Sequence, residues 1–233
     1  MQTCLSVVSK GYGVLRAPGK VLVAGFATFS LTLSGAMAEP LTLLAVGDSL
    51  TQGYGLPPED GLVPQLESWL NAHGAEVTVI NAGVSGDTTS GGRARLSWSL
   101  TPEVDAVMIE LGGNDMLRGQ PPEQARANLD AMLAEVTAKG LPVALVGLAV
   151  PGNYGADYQM KFNAIWPELG ATYEAVVVEN LLAPIAAKTP EERASAGLMQ
   201  ADGIHPSAAG VKLVVEALGP KVLEVLAQAN PAR

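Results

Sequence analysis

Cysteine is all but missing from this 233-residue chain, which carries Cys4 and no other. Beyond residue 4 no disulfide, thiolate nucleophile or thiolate-held zinc can form. Histidine is nearly as scarce, and His73 with His205 are too few for a multi-histidine metal cluster. Basic residues are short as well: 14 Lys and Arg stand against 23 Asp and Glu, a net charge of −9. That balance argues against nucleic acid, whose phosphates are held by Lys and Arg that release counterions. It also argues against tight docking on anionic lipid. Membrane-length apolar runs are lacking, since the stretch 21–33 has 13 residues where a spanning helix needs about 20. After residue 40 there are no repeats, low-complexity linkers or breaks in composition.

Residues 1–38 stand apart from the rest. Lys10, Arg16 and Lys20 precede the apolar stretch, no acid occurs among them, and Ala36-Met37-Ala38 gives an A-x-A spacing before Glu39. A basic start, a short apolar core and a small-residue cleavage site are the parts of a secretory signal peptide. The expectation is a signal peptide over 1–38, one domain over 39–233, and a periplasmic or secreted protein. An uncleaved anchor is the alternative. The mature domain would carry 11 basic against 23 acidic residues, a net charge of −12, with no stable membrane association. It is long enough to bury a full core, and nothing in its pattern demands more than a monomer.

From residue 41 onward short apolar runs alternate with longer amphipathic stretches. Runs at 41–46, 76–81, 104–111, 142–150 and 175–179 read as buried parallel strands, near-continuously apolar because both faces of such a sheet are covered. Helices are expected at 61–72, 93–100, 122–139 and 157–172, with a last one from Pro206 onward, kinked at Gly219-Pro220. The least patterned stretch, 181–200, reads as a helical turn and a surface loop over 188–193. This alternation implies one α/β domain with helices on both faces of a parallel sheet. Ser49, Gly86, Asn114 and the Asn153 loop each follow a strand, and loops at the carboxyl edge of a parallel sheet share one ligand crevice.

Serine attack on a carbonyl needs a base, a group that fixes the base's tautomer, and donors for the developing oxyanion. Ser49 is the candidate nucleophile. His73 is accounted for by the end of a helix beside Gly74, which leaves His205 as the base. Asp202 precedes it by three residues with Gly203 between, so a sharp turn lets the carboxylate reach Nδ1 and leaves Nε2 for Ser49. Pro206 suits the first position of the following helix, which would set His205 at that helix's positive end. The backbone N–H groups of Ser49 and Gly86 and the side-chain amide of Asn114 are candidate oxyanion donors. Singly, each of these residues also reads as ordinary turn chemistry. The G-x-S-x-G nucleophile elbow is not matched, because Thr51 occupies the place of its second glycine.

Gly-Asp-Ser-Leu at 47–50, Gly86 within Ser-Gly-Asp-Thr, Gly-Gly-Asn-Asp at 112–115 and Asp-Gly-Ile-His at 202–205 resemble the four blocks of the SGNH (GDSL) hydrolase family. They occur in the family's order and span nearly all of the mature domain. The resemblance implies an α/β protein with a flavodoxin-like three-layer α/β/α sandwich around a five-stranded parallel sheet. It implies Ser49 as nucleophile, Asp202 and His205 as its triad partners, and Ser49, Gly86 and Asn114 as the oxyanion hole. It brings in no cofactor and no metal. Stretches 81–88, 111–119 and 151–155 are similar to the periplasmic thioesterase I, lysophospholipase and arylesterase group, which implies a small-molecule acyl ester or thioester as substrate. Met116, Leu117 and Tyr154 are the expected acyl contacts. Met116 after Asn-Asp, and an extra loop at 188–197, depart from that group. A carbohydrate O-acetylesterase with the same catalytic set, or a flavodoxin-like binding protein without catalysis, are the alternatives.

Overall fold

The computed structural model describes Gly13 and residues 40–229; the expected signal segment otherwise lies outside the described residues. Five strands appear in chain order: β1 (Leu41–Gly47), β2 (Val77–Gly83), β3 (Ala106–Glu110), β4 (Val143–Val146) and β5 (Val176–Val178). They form one sheet in the order β2-β1-β3-β4-β5, with every pairing parallel. That is the flavodoxin-like doubly wound order, and its topological switch point lies between β1 and β3.

The helices are α1 (Ser49–Gln52), α2 (Leu62–Ala72), α3 (Thr89–Ser99), α4 (Gly113–Leu117), α5 (Pro122–Ala138), α6 (Ala156–Asn163), α7 (Ile165–Tyr173), α8 (Ala183–Ala186), α9 (Pro190–Ser195) and α10 (Ala208–Leu226). Side chains on β1 alternate between two cores. Leu43 and Ala45 pack with α2, α8 and α10, while Leu44 and Val46 pack with α3, α5, α6 and α7. All four are buried, which is why β1 reads as an unbroken apolar run rather than an alternating one. Each fully buried leucine in these layers contributes roughly 1.5–3 kcal/mol.

The long helices follow their apolar spacing. Ala125, Leu129, Met132, Leu133 and Val136 of α5 are all buried, at intervals that keep one face toward the sheet. Helix α2 ends at His73, whose N–H bonds the Trp69 carbonyl and whose ring stacks on Trp69 with centroids 3.7 Å apart. His73 is thus a structural cap, as the sequence indicates.

Three expectations need correction. The stretch 188–193 is not simply a surface loop: α9 forms there, started by a capping box in which Thr189 accepts from the Glu192 N–H and Glu192 accepts from the Thr189 N–H. The last helix begins at Ala208, not Pro206, because Ser207 is its N-cap and Pro206 instead bridges Met199 in antiparallel fashion. His205 therefore stands two residues ahead of the cap, away from the first turn. Helix α10 contains Gly219-Pro220, as expected of the last helix. Finally, the helix expected over 157–172 is divided into α6 and α7 at Ala164, three residues before Pro167, whose ring disfavours continuation of the preceding turn.

Candidate active site

At the end of β1 the buried Asp48 caps α1, its Oδ1 accepting from the Leu50 N–H at 3.0 Å. Ser49 is consequently the first helical residue, where a backbone N–H has no partner within its own helix. The Ser49 carbonyl accepts from the Gly53 and Tyr54 N–H groups, which curl the chain back over the turn.

The other half of the site sits on the loop between α9 and α10. The Gln200 N–H donates to the His205 carbonyl at 2.8 Å and the Ser207 N–H to the Leu198 carbonyl at 3.0 Å, so the loop is a short hairpin. Gly203 turns its tip at φ 67°, in the left-handed region that glycine enters without strain. Gln200 Nε2 reaches the Tyr54 carbonyl at 2.8 Å and the Pro206 carbonyl at 3.0 Å. One side chain thereby ties the His205 hairpin to the loop after Ser49. The Tyr54 ring lies against the His205 ring, centroids 4.8 Å apart.

Between these halves runs one line of hydrogen bonds. Ser49 Oγ lies 2.8 Å from His205 Nε2, and His205 Nδ1 lies 2.6 Å from Asp202 Oδ2. Asp202 Oδ1 also accepts from the Ile204 N–H at 2.9 Å and the His205 N–H at 3.0 Å. The His205 side chain and these N–H donors hold the Asp202 carboxyl down to a pKa of about 2. An ionised carboxylate can only accept. Nδ1 must therefore carry the imidazole proton, and Nε2 is left to accept from the serine hydroxyl.

Gly86 and Asn114 arrive on the loops after β2 and β3, the neighbours of β1 on either side. Gly86 has φ 80°, and its carbonyl accepts from Arg118 Nη2 at 2.7 Å. Among the described residues its N–H makes no hydrogen bond. Asn114 is the second residue of α4, and its Nδ2 donates to Asp48 Oδ2 at 3.1 Å. These groups share a cavity of ≈ 1080 Å³ with Ser49, Asp202 and His205. Its apolar lining includes Met116, Leu148, Leu182, Ile185 and Met199, and α9 contributes Pro190, Arg193 and Ala194. Leu117 lines it as well. Tyr154 does not; its ring packs on Tyr158 with centroids 5.7 Å apart. Among the described residues no cluster of three His, Cys, Asp or Glu is grouped to hold a metal ion.

Three residues of this frame give no sign in the sequence of the part they play. Gln200 is one. Arg95 is another: it pairs with Asp87 at 2.7 Å and donates to the Ala82 and Gly47 carbonyls at 2.7 and 3.0 Å, locking the ends of β1 and β2 together. The third is Glu110, a buried carboxyl close to Asp48, the acid of the Gly-Asp-Ser-Leu block. Burial raises the pKa of Asp48, against the pull of the Leu50 N–H and Asn114. Glu110, completely desolvated and close enough to feel the charge of Asp48, is pushed well above the usual carboxylate range. Its Oε2 accepts from Thr51 Oγ1 at 2.9 Å. No local pattern marks such residues, because their partners are distant in sequence.

Residues 45–213 match the GDSL-like lipase/acylhydrolase family. The chain is similar to esterase TesA of Pseudomonas aeruginosa, 38% identical over 206 residues that make up 84% of this chain and 99% of that protein. It is also similar to thioesterase 1/protease 1/lysophospholipase L1 of Escherichia coli strain K12, 35% identical over 179 residues, 76% of this chain and 80% of that one. Among solved structures it resembles AlinE4, described as an SGNH-hydrolase family esterase, with a TM-score of 0.66 and 40% identity over 82% of this chain and 99% of that one.

Proposed function

The chain belongs to the GDSL-like lipase/acylhydrolase family, and we propose that it is a serine esterase cleaving acyl esters and thioesters through an acyl-enzyme. Ser49 Oγ attacks the acyl carbonyl as its proton passes to His205 Nε2. Asp202 keeps the imidazole in the tautomer that accepts and stabilises the imidazolium that forms. The tetrahedral oxyanion takes hydrogen bonds from the Ser49 and Gly86 N–H groups and from Asn114 Nδ2. The imidazolium returns its proton to the leaving alcohol or thiol. Water then repeats the sequence against the acyl-serine. The observation that carries this reading is the unbroken line Ser49–His205–Asp202, with heavy-atom spacings of 2.8 and 2.6 Å.

The acyl chain is accommodated along Met116, Leu148, Leu182, Ile185 and Met199, which give the cavity an apolar wall. A chamber of that size and lining suits acyl groups longer than acetyl. Small-molecule acyl esters and thioesters are thus the substrates, including the aryl ester and lysophospholipid types, and the working form is a monomer in the periplasm or outside the cell. Support for the location is the signal-like pattern of 1–38.

The test is hydrolysis of an aryl ester series from acetate to long acyl, with acyl thioesters and lysophospholipids, by the wild type and by Ser49→Ala. Loss of about 10⁴-fold or more in kcat is expected for the variant. Undiminished hydrolysis by Ser49→Ala would remove the serine mechanism, and activity confined to acetate esters would remove the long-acyl assignment.

A further inference from the structure

The buried carboxylate of Asp48 has two hydrogen-bond partners, neither of them the side chain of Ser49, His205 or Asp202. Its Oδ1 caps α1 at the Leu50 N–H, and its Oδ2 faces Asn114 Nδ2 at 3.1 Å. The first contact shapes the turn that carries Ser49. The second bears on a problem specific to asparagine. A carboxamide has one end that donates and one that only accepts, and only the donating end can stabilise an oxyanion. Some neighbour has to decide which end faces the cavity.

We propose that Asp48 is a positioning residue that sets the Asn114 amide with Nδ2 toward the oxyanion, one N–H held by the carboxylate and the other left for the substrate. The inference rests on the reading of Asn114 as an oxyanion donor. Three features of the site bear on it. Asp48 is 2% exposed, so water does not compete for the carboxylate. Gly113 stands where a Cβ would lie 3.2 Å from Asp48 Oδ2 and 2.9 Å from Leu148 Cδ1, so Asp48 packs closely against the start of the Asn114 helix and a side chain at 113 would crowd it. Gly47 and Gly113 also place the two partners on β1 and β3 loops, the strands that flank the switch point. The same carboxylate thus links the nucleophile's turn to the loop that bears the oxyanion donor.

Asp48→Asn separates positioning from capping. Asparagine is as good an N-cap as aspartate and nearly the same size, so its Oδ1 keeps the Leu50 N–H. Its Nδ2 would then face Asn114 Nδ2, donor against donor. Relief comes from rotation of the Asn114 amide, which turns its Oδ1 toward the oxyanion. The expected result is a fall in kcat of about 10²–10³, the cost of losing one oxyanion donor, with KM little changed because the interaction belongs to the transition state. In the Asn114→Ala background the same Asp48→Asn change should cost less than about threefold, since its target is gone.

The four-member cycle of wild type, Asp48→Asn, Asn114→Ala and the double variant is read by kcat and KM on one aryl ester, with thermal melting for each. If Asp48→Asn does not fold, Asp48→Ser, which also caps, takes its place in the cycle. Losses that multiply across the two sites, or an Asp48→Asn enzyme within about threefold of wild type, would overturn the proposal while leaving the oxyanion assignment standing. An Asn114→Ala enzyme with undiminished kcat would overturn the oxyanion assignment itself, and this inference with it.

Discussion

At the scale of single residues, Asp202 and Glu110 are carboxyls moved in opposite directions by their surroundings. Asp202 receives the His205 ring N–H and two backbone N–H groups, which take its pKa from 3.8 to about 2. Its contribution to stability is present above the ordinary aspartate range and is lost as the pH falls through about 2. Over any pH at which esters are assayed it remains a carboxylate, so the acid limb of a pH–rate profile does not come from it. Asp202→Asn leaves the imidazole free to adopt the other tautomer, and kcat is expected to drop by about 10³–10⁴, measured on an aryl ester at fixed pH. Glu110 shifts the other way, upward, through burial and the nearby charge of Asp48. Folded Glu110 stays neutral at a pH where the unfolded chain ionises it, so its presence costs stability progressively as the pH rises above the ordinary glutamate range. Glu110→Gln keeps an acceptor for Thr51 and removes that cost. Urea denaturation at pH 5 and pH 8 should show the variant gaining on wild type at the higher pH. A difference that is constant with pH would contradict the assignment.

At the scale of elements, the loops after β1, β2 and β3 and the α9–α10 hairpin make the site, and they were legible to different degrees. The strand-end positions of Ser49, Gly86 and Asn114 could be read because continuous apolar runs end abruptly in glycine and polar residues. The hairpin was read only in part. Asp202-Gly203 is a strong turn signal, but the antiparallel pairing of Met199 with Pro206 has no apolar alternation to announce it, and with it α10 starts at Ala208. Helix α9 was missed although Thr189 and Glu192 carry the capping-box spacing. With six residues, none of them buried, it lacks the apolar period by which helices are found. It nonetheless walls the cavity, in the segment where the sequence departs from the group it resembles. Filling that wall with Ala194→Trp is expected to lower kcat/KM for long-acyl esters about tenfold or more relative to acetate, since each methylene excluded from an apolar pocket is worth about 1–3 kcal/mol. Equal effects along the ester series would place α9 outside the acyl path.

For the molecule as a whole, the sheet order explains why residues from both ends of the chain meet. With β1 at the centre, Gly86 and Asn114 emerge on its two sides, and α10 brings the His205 hairpin back over the same edge. Fold class and strand number were readable from the alternation of apolar runs and amphipathic stretches. The locking contacts were not: Arg95 on the Gly47 carbonyl, Gln200 on the Tyr54 carbonyl and Glu110 under Thr51 join residues 48, 146 and 59 positions apart, and side-chain partners at such separations leave no local pattern. Among the described residues the two core clusters lie within 41–226. A chain beginning at Glu39 is therefore expected to unfold in one cooperative transition and to keep its kcat/KM on an aryl ester.

The most direct measurement is peptide mapping by mass spectrometry after inactivation with a fluorophosphonate, which reacts as an ester carbonyl does but leaves its adduct on the nucleophile. One adduct per chain on Ser49, absent from Ser49→Ala and strongly slowed in Asp202→Asn, is the predicted result. An adduct on any other residue, or full inactivation with Ser49 unmodified, would contradict the account.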